Sequence, residues 1–220
     1  MLILRTIFDE KLAEIHNDLI ELGRMVNEAI SKSVKSFVDH DVQLAKEIIE
    51  ADKIVNKKEN EIDRKCSEII ALQQPNTSDL RRVIAVIRAA SDLERMGDHA
   101  TNVAEGTINV KGQKRNEELE EIIITMGNKV LSMSVDIIDA FIEFDVISAA
   151  KIAGRDEEID NYYNLLRLTA IDAMREDPEL VLASSDYTFI GRDLERIGDY
   201  ITNIAEGLIY LDSGKIVDLG

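Results

Sequence analysis

Asp92 to Glu105 reads DLERMGDHATNVAE, and Asp193 to Glu206 reads DLERIGDYITNIAE, the same string displaced by 101 residues. Its apolar positions recur at helical spacing, Leu93, Gly97, Ala100, Ala104 and Ile108 in the first copy and Leu194, Gly198, Ile201, Ala205 and Leu208 in the second, which predicts a helix with one core-facing band in each. A core band tolerates Leu for Ile freely. It does not require the same acids, amide and arginine at fixed spacing, so the polar half of the repeat needs a reason beyond packing.

Outward from the repeat the chain continues to read as helix. Two prolines and 11 glycines in 220 residues leave few breakers, and Leu12, Ile15, Leu19, Leu22, Met25, Val26, Ala29, Ile30 and Val34 trace a three-four pattern. Interruptions fall at Asp39 to Asp41, around Pro75, at Lys111 to Asn116, at Asp145 and at Asp177-Pro178, where Asp177 suits an N-cap and Pro178 a first helical position. Asn116 before Glu117 and Glu118 is a similar start. Six helices are expected, at about 5–38, 42–72, 78–111, 117–143, 146–176 and 179–210.

The earlier helices also correspond. Phe37 to Val42 matches Phe141 to Val146, and Asp52 to Asn56 matches Asp156 to Asp160, both at an offset of 104. The unit is three helices used twice. This predicts an all-α fold of two tandem, pseudo-twofold-related antiparallel three-helix bundles, residues 1–112 and 113–220, with one continuous six-helix bundle as the alternative.

Composition removes several function classes. The formal net charge of −17 argues against nucleic acid, which needs clustered Lys and Arg, and against adsorption to anionic lipid. No apolar run approaches the ~20 residues of a membrane span, and Arg5, Asp9 and Glu10 interrupt any secretory signal. The lone Cys66 excludes an internal disulfide framework and reads as a buried small hydrophobe. Together these point to the cytoplasm.

Successive helical residues advance by about 100°. Glu94, Asp98, Asn102 and Glu105 then fall within an arc of ~80° beside the core band, and Glu195, Asp199, Asn203 and Glu206 repeat it. On the second helix Asp52, Asn56, Glu59 and Asp63 form another stripe; its counterpart keeps Asp156 and Asp160 but has Tyr163 and Arg167 beyond them. Facing stripes of carboxylates repel unless a positive group lies between them. Arg95 and Arg196 lie ~100° away on the wheel and need not reach in, which leaves a multivalent cation as the economical answer. Oxygen donors without thiolates suit Mg, Ca, Mn or iron rather than structural zinc. Gly97 and Gly198 suggest close helix approach, His99 reads as incidental beside its counterpart Tyr200, His16 and His40 as surface residues, and Met96, Met126, Met133 and Met174 as core filler.

On LERMGD and LERIGD, GRMVNEAI from Gly23, ADKIVN and RDEEID, and QQPNTSDLR into the third helix, the chain resembles the PhoU family of phosphate-transport accessory proteins over nearly its whole length. The resemblance implies two three-helix bundles whose paired E(D)XXXD motifs hold metal, as multinuclear iron clusters in some members and Mg or Mn in others. It implies a negative regulator of the phosphate-starvation response that contacts the ATPase of a phosphate ABC transporter and a phosphate-sensing histidine kinase. Carried over, Glu94 and Asp98, Glu195 and Asp199, and Asp156 and Asp160 match the motifs, whereas Asp52 is followed by the amide of Asn56; Glu59 and Asp63 offer a further pair.

Two other classes compete. Carboxylate-bridged dinuclear oxidases also use helical bundles, but they add Glu-x-x-His units, and no histidine stands three residues after Glu94, Glu105, Glu195 or Glu206. No phosphate loop or helical nucleophile–base pair is present, so a non-enzyme is expected. A purely structural acidic adaptor is the third reading. Long amphipathic helices also suit a homodimer.

Overall fold

Short polar side chains set where the helices begin. The Asp41 carboxylate accepts from the backbone N–H groups of Gln43 and Leu44, the Asn76 amide oxygen from Ser78 and Asp79, Asn116 from Leu119, and Asp145 from Ile147 and Ser148. Each satisfies first-turn donors that no helical carbonyl can reach. The computed structural model describes residues 2–219, with side-chain surroundings from residue 7 onward; the outer bounds expected for the two halves, 1 and 220, lie outside the described residues. The chain forms α1 (Leu2–Asp39), α2 (Val42–Gln73), α3 (Thr77–Asn109), α4 (Glu117–Glu143), α5 (Val146–Ala153), α6 (Asp156–Glu176) and α7 (Val181–Ser213), with a 3-10 turn at Pro178–Leu180 leading into α7.

The expected fifth helix, 146–176, does not run through. It breaks at Gly154 and Arg155 into α5 and α6. Glycine weakens a helix interior, and the Arg155 guanidinium turns to Asp136 and Ser132 on α4. Asp177 does cap as expected, accepting from Glu179 N–H, though the turn it starts is 3-10 before α7 begins.

The halves match at the turn between their first and second helices. His40 and Phe144, equivalent residues of the two repeats, both end a helix with φ 55°, and each precedes a capping aspartate whose N–H donates back at 2.9 Å, Asp41 to Ser36 and Asp145 to Ala140. Helices α1, α2 and α3 pack together as one three-helix bundle, and α4, α5–α6 and α7 as the other. The bundles lie side by side, with α3 against α7 as the broadest contact and α1 against α4 as the second link. That second link is the same notch used twice. A Cβ at Gly23 would stand 2.8 Å from Ile138, and one at Gly127 would stand 2.6 Å from Val34; Gly23 and Gly127, and Val34 and Ile138, are repeat equivalents.

One apolar core spans both bundles, from Leu22, Val26 and Ile30 through Leu119, Met126 and Val130 to Leu194, Ile197 and Ile201. Met96, Met126 and Met133 are buried within it, as is Cys66, whose thiol is pushed up to about 12 by burial and then by Asp63. A thiol so placed is inert. His16 is not the surface residue expected. It is half-buried, stacked 5.6 Å from Phe144 and 6.2 Å from Phe141, and burial lowers its pKa. Among the described residues, no helix is long and apolar enough to cross a membrane.

Candidate metal centres

Helix α2 approaches α3 where α3 lacks a side chain. A Cβ at Gly97 would lie 3.2 Å from Val55 Cγ1, and this closeness sets Asp52 and Glu59 of α2 against Glu94 and Asp98 of α3. Their charges register one another. Glu94 is held above the usual carboxylate range first by burial, then by Asp98, Glu59 and Asp52; Asp98 is raised by burial and then by Asp52, and Glu59 by burial and then by Asp63. Asn56 Nδ2 donates to Asp52 Oδ2 at 3.0 Å, and Thr101 Oγ1 to Asp52 Oδ1 at 3.5 Å. Asn56 Oδ1 is buried without a hydrogen-bond partner. Asp63 stands exposed at the outer end of the stripe.

The second half repeats this arrangement at greater depth. A Cβ at Gly198 would fall 2.3 Å from Asp156 Oδ1, so the absent side chain is the space the carboxylate occupies. Asp156 is 9% exposed. Thr202 Oγ1 donates to its Oδ2 at 3.4 Å, while its Oδ1, like Glu195 Oε2, is buried without a hydrogen-bond partner. Burial, followed by Asp160, Asp199 and Glu195, pushes Asp156 up to about 7. Asp160 is raised by burial and then by Asp199, and Glu195 by burial and then by Asp199. Arg95 stays out of its stripe, lying over the Tyr200 ring at 5.7 Å. Arg196 does not. Placed three residues before Asp199, it donates to Asp199 Oδ2 at 2.8 Å and so reaches the rim.

Asn102 and Asn203, which share the acidic arc on the wheel, face the other repeat. Asn102 Nδ2 donates to Asp193 Oδ1 at 3.2 Å, and His99 Nδ1 pairs with the same oxygen at 2.7 Å. Asn203 faces Asp92, which burial pushes up to about 6 despite Arg95 and Arg88. The same Asp and Asn face each other at both places between the bundles, and the hydrogen bond is made at Asp193 and Asn102. Sequence reasoning missed Asp92, Asp193 and His99. The signal was available: Asp92 and Asp193 recur in the repeat, yet two residues before the stripe they point about 200° away from it.

Within each centre the donors are oxygens of carboxylate, amide and hydroxyl, a set that fits a hard cation. Deeply placed oxygens without partners are costly unless something positive meets them; Asp156 Oδ1 and Asn56 Oδ1 are such atoms, whereas Glu195 Oε2 has Arg196 Nε at 3.7 Å. Among the described residues, no three acidic, histidine or cysteine side chains stand close enough to hold one ion as they are arranged. Coordination would therefore draw in the outer acids, Asp98 and Asp160, which are exposed and free to change rotamer. The imidazole nearest the acids, His99, is turned to Asp193, away from the role a Glu-x-x-His oxidase site would give it.

The comparisons agree with this architecture. The family model for the PhoU domain matches residues 19–107 and 123–208, one segment in each bundle. A phosphate-specific transport system accessory protein PhoU homolog from Streptococcus pneumoniae serotype 4 is 38% identical over 216 residues, covering 98% of this chain and 100% of that protein. The accessory protein PhoU of Escherichia coli (strain K12) is 32% identical over 208 residues, covering 94% of this chain and 86% of that protein. The crystal structure of PhoU from Pseudomonas aeruginosa superposes with a TM-score of 0.91 at 33% identity, covering 94% of this chain and 100% of that one. The phosphate transport system regulatory protein PhoU from Streptococcus pneumoniae gives 0.88 at 37% identity, covering 96% and 99%. With the same duplicated helices matched along nearly their full length in sequence and in structure, this chain belongs to the PhoU family.

Proposed function

We propose that the protein is a metal-binding regulator of phosphate uptake and of the phosphate-starvation response. It acts in the cytoplasm on the ATPase of a phosphate ABC transporter and on a phosphate-sensing histidine kinase, without catalysis of its own. Relatives named as phosphate transport accessory and regulatory proteins support the regulatory part. The observation that carries the metal part is the buried, unpartnered oxygen of Asp156, set among further carboxylates; burial first, and then mutual repulsion, raises Asp156, Asp160 and Glu195 together.

Asp156, Asp160, Glu195 and Asp199 would hold one centre, and Asp52, Asn56, Glu59, Glu94 and Asp98 the other, with Asp63 at its edge. A bound hard cation would supply positive charge that fixes these side chains and the α2–α3 and α6–α7 spacing. Iron is the leading candidate by resemblance, with Mg, Mn or Ca fitting the same oxygens. The test is metal content per chain by plasma mass spectrometry on protein purified without chelator, beside a Glu94→Ala/Asp98→Ala/Glu195→Ala/Asp199→Ala variant. Metal retained by wild type and lost by the variant is the expected result. A folded wild-type protein that carries none sinks the metal part and leaves the regulatory part to stand on the relatives alone.

A further inference from the structure

The repeat correspondence exposes one place where the halves differ in kind. In the second half charge pairs cross the edge between α4 and α6, and the space of about 300 Å³ beside them, between α4 and α5, is lined mostly by polar and charged side chains. Lys129 Nζ meets Glu158 Oε1 at 2.7 Å, and Arg155 bridges Asp136 and Ser132. At the equivalent positions the first half has Met25 and Ile54, then Ala51, Lys32 and Glu28. Met25, Ala51 and Ile54 carry no charge to bridge with, Lys32 and Glu28 pair within α1, and a groove of about 330 Å³ opens there between α1 and α2, reaching Val55, Gly97 and Thr101 at its floor. Ile54, at its lip, is 61% exposed.

The groove is apolar inside and acidic outside. Glu28, Glu47 and Asp52 line it with Lys32, and Lys32 pairs with Glu28 at 2.6 Å. The remaining charge, from Glu47 and Asp52, is negative. A cleft of this size takes large apolar side chains, and an apolar anchor flanked by positive charge is what an amphipathic helix laid into a groove presents. A second copy of this chain would bring its own acidic rim and a net charge of −17 to the contact, and an anionic lipid surface would be repelled likewise.

We propose that the groove between α1 and α2 docks a basic amphipathic helix of a protein partner, with an apolar side chain seated between Met25, Ile48 and Ile54 and Lys or Arg side chains against Glu47 and Asp52. The inference rests on the regulatory reading only in taking the occupant to be a partner protein; because Asp52 is also assigned to the first centre, it is made for the metal-free protein.

The experiment is a fluorescence-anisotropy titration of metal-free protein with a labelled helical peptide of leucine and lysine at helical spacing. Two control peptides accompany it, one with alanine for leucine and one with glutamate for lysine. Met25→Lys/Ile54→Glu installs the ion pair of the second half, and Ala51→Trp fills the groove without changing charge; unchanged far-UV helicity and unfolding midpoint check that both variants fold. The expected result is binding of the leucine–lysine peptide, weakened about ten-fold or more by either variant, weaker binding of the alanine version and none of the glutamate version. Equal binding by wild type and both variants, or by the leucine and alanine peptides, overturns the groove and reduces the effect to acidic surface charge. Self-association of the wild type that both variants abolish overturns it in favour of a second copy. Because the readout is a peptide affinity on metal-free protein, a negative result leaves the metal-content and phosphate-response readings where they stood.

Discussion

The two acid centres share the string on their third helices and differ in what the second helices bring. In the first, α2 runs unbroken, Asp52 is only half-buried beside the amide of Asn56, and Asp98 is exposed. In the second, the helix breaks just before Asp156, and that carboxylate sits in the gap left by Gly198 among three other acids. The two copies keep the same acidic face on α3 and α7, while the neighbouring helices set its depth and charge. Asp156 is therefore the carboxylate most costly to keep charged without a positive neighbour.

The largest expected effect tests that difference directly. The folded chain holds the Asp156 proton up to about pH 7, against 3.8 for an ordinary aspartate. Between those limits the folded state binds more protons than the unfolded one, so unfolding free energy falls as pH rises and the loss is complete above the folded-state value. In chelated protein, urea unfolding at pH 5 and pH 8 is expected to differ from this group by on the order of 3 kcal/mol, with the higher stability at pH 5. Asp92, pushed up to about 6, adds in the same direction, so Asp156→Asn is needed to isolate the larger share: it should flatten most of the slope and raise stability at pH 8. Added Mg or Mn should stabilise wild type more at pH 8 than at pH 5, because the ligands must be deprotonated. A slope undiminished by Asp156→Asn would refute the assigned depth.

Next in size is a pair of identical substitutions with opposite signs. Gly106 and Gly207 are repeat equivalents, yet a Cβ at Gly106 would stand 2.4 Å from Ile190, whereas one at Gly207 meets nothing within 4 Å. Gly106→Ala should destabilise by about 1–3 kcal/mol through overpacking. Gly207→Ala should stabilise by up to about 1 kcal/mol through helix propensity. Chemical denaturation of the two variants decides it, and a shared sign would show that the α3–α7 contact is more symmetric than described.

The inter-bundle clamp gives a smaller effect. Asp193 is buried and takes both His99 and Asn102, so His99→Ala should cost about 1–2 kcal/mol. Tyr200→Ala at the equivalent place, where no hydrogen bond to Asp92 is made, removes packing instead and should leave the pH profile of stability unchanged. A His99→Ala protein as stable as wild type would make that histidine incidental after all.

The fold was legible because the repeat carries it twice: the apolar bands, the interruptions at Asp41 and Asp145, the helix start at Asn116, and the close approach at Gly97 and Gly198 all read directly from spacing and composition. The acids of the centres were legible as a face, since helical periodicity alone gathers them. What periodicity cannot give is the partner across an interface. Asn102 and Asn203 share the acidic arc of their own helices, and only the antiparallel crossing of α3 and α7 turns them to Asp193 and Asp92. His16 looked like a surface residue because its stacking partners, Phe141 and Phe144, lie in the other bundle. The helix break was hidden for a different reason, since Val146 to Glu176 keeps its apolar period across it.

That break offers the smallest and most specific test. Gly154 has φ −63° and ψ −7°, helical values open to any residue, and a Cβ there would meet only Lys151 O at 3.6 Å and Ala150 O at 3.8 Å. Glycine thus permits the break without being required by it. Two other features favour it. Arg155 is held to α4 by Asp136 and Ser132, and a helix start at Asp156 places Asp156, Glu157 and Glu158 at the positive end of the α6 dipole. Gly154→Ala should therefore raise stability by a few tenths up to about 1 kcal/mol while leaving the break in place, with amide hydrogen exchange at 154–157 still faster than at the unbroken equivalents 50–53. Adding Arg155→Ala should slow that exchange, as the tether to α4 is lost and the helical ladder can close. Slow exchange in Gly154→Ala alone would make the glycine the cause, and the depth of Asp156 would then trace to one backbone substitution between the repeats rather than to the charge pairs of α4.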